Sequence, residues 1–178
     1  MKFCQQLSAY LKVKEYTGHR LYQDMFEQAI LCDQGGYDSV GLTEHHLINI
    51  LMMPAPLQFA VKIAEATKNI KIITAVAVLP IHDMRIFAGE VIASQMFTDD
   101  RLILGVGRGA FACEMALLDS PLEDSRDKFN ESLDVLKADL PKTVFPVLLS
   151  LFDRLILEFA SSFKRVAAET PNVISVLA

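Results

Sequence analysis

The chain has 178 residues, 52% hydrophobic and 22% charged, which supplies apolar material for one sizeable core or two small ones. Its net charge of −5 and its 17 scattered Lys and Arg leave no basic stripe for the phosphates of a nucleic acid. Cys4, Cys32 and Cys113 are odd in number and follow no framework spacing, which fits reduced thiols in a cytoplasm. Met1 to Tyr10 lacks a charged-then-apolar export pattern, and the apolar stretch around Val144 to Leu157 is broken by Asp153 and Arg154. The expectation is a soluble, cytoplasmic protein without a nucleic-acid or membrane partner.

Lys2 to Leu7 reads as a first strand. His19 to Gln34 carries apolar residues at Leu21, Met25, Ala29 and Cys32 and a second row at Tyr22, Phe26 and Ile30, a helix with one wide buried face. Gly35-Gly36 ends it, because glycine tolerates the left-handed backbone of a helix terminus. A strand from Tyr37 to Thr43 follows. Pro54-Ala55-Pro56 opens a second helix, with Leu57, Ala60, Val61 and Ala64 as its buried stripe and Asn69 as its stop. Ile70 to Leu79 is a nearly continuous β-rich run, as expected of a strand covered on both faces. Asp83 is the predicted N-cap of a third helix reaching about Phe97, followed by a strand from Leu102 to Gly107. Ser125 is the predicted cap of a fourth helix that buries Phe129, Leu133 and Leu136. Such β-then-α alternation demands parallel strands joined by helical crossovers.

Two strand ends carry chemistry. Thr43-Glu44-His45-His46 follows the run Asp38 to Leu42, and Gly107-Arg108-Gly109 follows Arg101 to Val106. An acid, imidazoles, a guanidinium and glycines at parallel strand ends define one face, the face at which α/β proteins bind ligands. An imidazole exchanges protons near neutral pH. A guanidinium grips phosphate oxygens in two-pronged fashion, and neighbouring glycines let backbone N–H groups approach. The paired histidines are also compatible with a merely hydrogen-bonded loop. A zinc site is not expected, because adjacent imidazoles on a strand point to opposite faces and no third ligand is evident. Gly105-x-Gly107-x-Gly109 is not a dinucleotide fingerprint, since its third glycine comes too early. Cys113 reads as an inert small side chain, and Met52-Met53 as loop packing or the rim of a substrate mouth.

In order along the chain stand Gly36 to Val40, Thr43 to His46, Pro56-Leu57, Ile63 to Thr67, Thr74 to Pro80 with His82, Leu104 to Gly109, and Ser125-Arg126. Together they resemble the bacterial luciferase-like flavin-dependent monooxygenases, from the N-terminus to about Ala138. The resemblance implies a (β/α)8 TIM-type barrel binding reduced FMN that a separate reductase supplies, with O2 oxidising a small organic substrate such as an aldehyde. It implies His45 as catalytic acid/base and Glu44 close to the flavin. It also implies Arg108 and Arg126 on the flavin phosphate beside Gly107 and Gly109, and a cis bond between Ala75 and Val76 beneath the ring. Arg126 is equally readable as a solvated partner of Asp127 or Glu123. Gly107 stands where luciferases carry a reactive cysteine, so thiol chemistry at the flavin is not expected.

A barrel of this class takes about 250 residues, whereas four units are spent by residue 138 and about forty residues remain. The expected fold is therefore α/β, a truncated or incomplete (β/α)8 barrel forming a single domain over 1–178. Residues 139–178 form a divergent tail, read either as a strand at Leu155 to Leu157 with a helix from Ser161 to about Glu169, or as one helix over Val147 to Ala167. A half-barrel exposes sheet edges and an apolar face, so a homodimer or higher oligomer is expected. Three functions remain open: a monooxygenase, a non-catalytic flavin-binding protein, and a folded remnant of such an enzyme.

Overall fold

Four short β-rich runs separated by amphipathic helices assemble, in the computed structural model of the chain, into a single parallel sheet. Residues 1–11, 16–48 and 51–139 are described; both readings of the tail beyond Asp139 lie outside them. The strands are β1 (Cys4–Gln6), β2 (Ser39–Leu42), β3 (Lys71–Val78) and β4 (Leu102–Gly107). The helices are α1 (Gly18–Gln34), α2 (Pro56–Ala66), α3 (Met84–Phe97), α4 (Ala112–Leu117) and α5 (Ser125–Asp139), with a 3-10 turn at Leu79–Ile81. The sheet order is β1-β2-β3-β4, every neighbouring pair parallel. This is the arrangement of successive βα units in a TIM-type barrel, present as an open sheet among the described residues.

Local chemistry explains the boundaries. The Thr17 hydroxyl accepts from Arg20 N–H and starts α1, which buries Leu21, Met25, Ala29 and Cys32. The helix ends where Gly36 takes φ +76°, as the glycine pair predicts. The Asp33 carboxylate in its last turn then accepts from the N–H groups of Lys68, Asn69 and Ile70, tying α1 to the entry of β3. Asp83 caps α3 by accepting from Arg85 N–H, as expected. Ile63, Ile70, Ile72, Val40, Leu42 and Leu79 are fully buried between sheet and helices.

Three local expectations need correction. α2 buries Phe59 and Ile63, while Val61 is only half-buried, because the helix packs against both β3 and α3 and so shows the core a wider face than one stripe. Ser125 is the first residue of α5 and spends its hydroxyl on the Leu122 carbonyl. Only Leu136 of the predicted α5 stripe is fully buried, with Phe129 and Leu133 half-buried and Ser132 buried instead.

The third strand departs most from its sequence pattern. Ile72 to Thr74 and Ala77-Val78 are buried, but Ala75 and Val76 between them are exposed. Thr74 pairs with Leu104 and Ala77 with Val106, so two residues of β3 face the single Gly105 of β4. That is a β-bulge, which bends a strand and re-aims its side chains. Only glycine fits opposite it: a Cβ on Gly105 would lie 2.1 Å from the Thr74 carbonyl oxygen. The Ala75–Val76 bond is cis. Among the described residues no helix is long and apolar enough to cross a membrane.

Candidate functional site

β2 ends at Leu42, and the following residues leave the sheet at its C-terminal edge. Glu44 turns back under that edge and is only 3% exposed. Its Oε2 accepts from Val78 N–H at 2.6 Å, and its Oε1 meets His46 Nε2 at 2.8 Å. His82 Nε2, beyond the 3-10 turn, lies 2.8 Å from the same Oε1. It stands off the line of a directed hydrogen bond, although it lies against the same oxygen. The His82 ring is stacked on Phe87, centroids 4.2 Å apart. Burial alone would raise the Glu44 carboxyl, but His46, His82 and the Val78 N–H together hold it at about 2. The bond to Glu44 in turn lifts His46 above its ordinary value, against the pull of burial.

His45 takes a separate carboxylate. Its Nδ1 is 3.3 Å from Glu114 Oε2, while Glu114 Oε1 accepts the His46 backbone N–H. The His45 backbone N–H donates to the Met53 carbonyl, and Phe111 meets the His45 ring edge-on at 5.1 Å between centroids. The two neighbouring imidazoles are thus served by two different carboxylates. Among the described residues no cluster of side chains has the form of a metal site.

The other end of the site is more open. Arg108, just past β4, is half-buried and donates to the Ser125 hydroxyl at 3.1 Å. Arg126 is exposed at the start of α5, and neither Asp127 nor Glu123 forms an ion pair with it among the described residues. Gly107 lies beneath Val76, where a Cβ would sit 2.5 Å from Val76 Cγ2. Gly109 adopts φ +84°, a conformation that suits glycine. Ala75, Val76 and Gly107 therefore form a small apolar shelf at the ends of β3 and β4, with Val76 38% exposed.

The structure brings Glu44 to His46 and His82, His45 to Glu114, Gly107 to Val76, and Arg108 to Ser125. It gives Arg126 no such partner among the described residues. Sequence reasoning missed Glu114 and the short helix α4 that carries it, 68 residues beyond His46. The available signal was a lone acid inside the apolar run Ala112 to Leu117. It also missed that His82 shares the Glu44 carboxylate.

A parallel β/α sheet with carboxylates, imidazoles and a guanidinium gathered at its strand C-termini defines an α/β protein, a class whose ligands bind at that face. A family model described as luciferase-like monooxygenase matches residues 2–145. The chain is 34% identical over 122 residues to a 4-hydroxyprotoasukamycin monooxygenase of Streptomyces nodosus subsp. asukaensis, covering 68% of this chain and 33% of that protein. It is 30% identical over 100 residues to the oxygenase component of a flavin-dependent trigonelline monooxygenase from Acinetobacter baylyi, covering 56% and 28%. Among solved structures it resembles the oxygenating constituent of 3,6-diketocamphane monooxygenase from Pseudomonas putida, a type II Baeyer-Villiger enzyme in complex with FMN. There the TM-score is 0.70 at 21% identity, over 76% of this chain and 38% of that one, a likeness of fold. The chain belongs to the luciferase-like monooxygenase family. It spans less than half the length of the curated relatives it matches.

Proposed function

We propose that this chain binds FMN at the C-terminal ends of β2 to β4 and serves a flavin-dependent monooxygenase reaction on a small organic substrate such as an aldehyde. The observation that carries the reading is the division of the site into a buried carboxylate–imidazole assembly and an open apolar shelf. The residues present fit a flavin on that count. Two exposed apolar residues in a strand otherwise buried beyond Lys71 offer a surface that a flat ring would cover. Arg108 and Arg126 would hold the phosphate. When bound, reduced FMN supplies the electrons that activate O2, and the protein supplies position and water exclusion. A separate reductase as its source is in keeping with a relative that is named an oxygenase component.

In this reading His45 holds or moves a proton at its imidazole, in a loop already fixed by Met53 and Glu114. Glu44 orients His46 and His82 and keeps negative charge beside the site. Ile86, Met96 and Phe97 stand exposed on α3 and favour a homodimer or higher oligomer. A uniform monomer mass by light scattering at micromolar concentration would end that part of the proposal. The reaction belongs in a cytoplasmic setting, where reduced thiols such as Cys4, Cys32 and Cys113 persist.

The test is FMN titration of the purified chain, followed by oxygen consumption with NADH, a flavin reductase and aldehyde. Binding with coupled oxidation supports the enzyme. Binding without it indicates a non-catalytic flavin protein, and no binding a folded remnant. His45→Ala is expected to abolish turnover while leaving FMN affinity nearly intact; unchanged oxidation by that variant removes His45 from the mechanism.

A further inference from the structure

The proton-moving role of His45 requires that one ring nitrogen be available and the other be fixed. The buried polar group on the fixed side is Glu114, which the family-like motifs do not include. Glu114 is 5% exposed, although Phe111 just before α4 and Ala112, Cys113 and Leu117 within it stay exposed. A carboxylate is turned inward here because both its oxygens have work on the same dipeptide: Oε2 on His45 Nδ1 at 3.3 Å and Oε1 on the His46 backbone N–H. Burying a carboxylate is costly unless its oxygens are engaged, and these two engagements offset that cost.

We propose that Glu114 is the positioning residue that sets the tautomer of His45. A carboxylate oxygen only accepts hydrogen bonds, so the proton of the neutral imidazole resides on Nδ1. Nε2 then keeps its lone pair and is the atom that takes a proton from, or returns it to, a bound reactant. The grip on the His46 N–H holds the loop so that the ring cannot follow a rotation of its backbone. Phe111, edge-on to the ring and one residue before α4, limits the remaining rotation about the side chain. The same short helix thereby delivers both the acceptor and the wall. Glu44 does not serve this purpose, since its oxygens are taken by His46, His82 and Val78 N–H. The inference rests on the proposed role of His45, but the tautomer is measurable without flavin or turnover.

The experiment is 15N NMR of the full-length chain labelled at histidine nitrogens, with His45 assigned by its loss in His45→Ala. At a pH where the ring is neutral, His45 in the wild type is expected as the Nδ1–H form. In Glu114→Gln the one amide oxygen is claimed by the His46 N–H and the NH2 donor faces Nδ1, so His45 is expected to shift to the Nε2–H form, and Glu114→Asp is expected to restore Nδ1–H in part. In coupled turnover, Glu114→Gln is expected to lower kcat at least about tenfold with FMN affinity unchanged. An Nε2–H tautomer in the wild type, or an Nδ1–H form undisturbed in Glu114→Gln, overturns the proposal. Should Glu114→Gln not fold, the wild-type tautomer alone decides. If the tautomer responds as expected while His45→Ala turns over normally, the proposed function fails at His45 and the positioning by Glu114 stands.

Discussion

Around Glu44, both oxygens of a buried carboxylate are engaged, by His46, His82 and the Val78 N–H; around Arg108 and Arg126, one guanidinium holds a single hydroxyl and the other faces water. The first region belongs to the fold as much as to the site, because its carboxylate bridges the loop after β2 to the end of β3. The second adds little to packing and has donors to spare. A region whose polar groups satisfy one another is assembled before any ligand arrives. A region with spare donors leaves them to water, and under the proposed reading an anion would take them up. The two ends should therefore respond to mutation in opposite ways.

The largest effect is expected at Glu44. Glu44→Ala strands two imidazoles and the buried Val78 N–H, and should cost roughly 3 kcal/mol or more of unfolding free energy. A urea midpoint unchanged from wild type would show that the assembly is not structural.

Acid and alkali should loosen the same assembly from opposite sides. Glu44 is held at about 2, below its ordinary 4.5, so the stability it contributes is present above the ordinary value and is lost as pH falls through about 2. His46 is raised above 6.5, so its contribution is present below that value and is lost as pH rises through the raised one. Both shifts describe one bond and are counted once. Stability measured by denaturant should thus be greatest between about pH 4.5 and 6.5 as far as this pair is concerned. The difference between wild type and Glu44→Gln should narrow on either side. A difference that stays constant both as pH falls through about 2 and as it rises well past 6.5 would remove the ion pair from the account.

The smallest effect on stability is expected at the arginines. Arg108→Ala and Arg126→Ala should each shift unfolding by no more than about 0.5 kcal/mol, as exposed or half-exposed charges do. A large loss at Arg108 would mean that its bond to Ser125 holds the fold rather than waits for a ligand.

The same contrast explains what could be read from the sequence. α1 and α3 were legible because helix period and caps are local: Leu21, Met25, Ala29 and Cys32 lie on one face, and Asp83 stands at a helix start. The strand Leu102 to Gly107 was legible to the residue. The bulge was not, because register is a property of two strands, and nothing in Ile70 to Leu79 alone says that Ala75 and Val76 will face one glycine of β4. Glu44 and His45 were legible as chemistry at a strand end, but their partners were not. Glu114 reaches them from 68 residues away on a helix too short to leave a periodic signature. His82 was visible only as part of a motif, and its tie to Glu44 depends on how the turn at Leu79–Ile81 folds back.

The central claim is that the open end of this face receives FMN while the closed end is already in place. Fluorescence-quenching titration of FMN against the wild type, Arg108→Ala and Val76→Asp tests it most directly. The account predicts saturable binding by the wild type and about tenfold weaker binding when the Arg108 charge is removed. It also predicts loss of binding when a carboxylate is placed on the apolar shelf, with all three proteins equally folded. Saturable binding that neither substitution alters, or no saturable binding by the folded wild type, would contradict it.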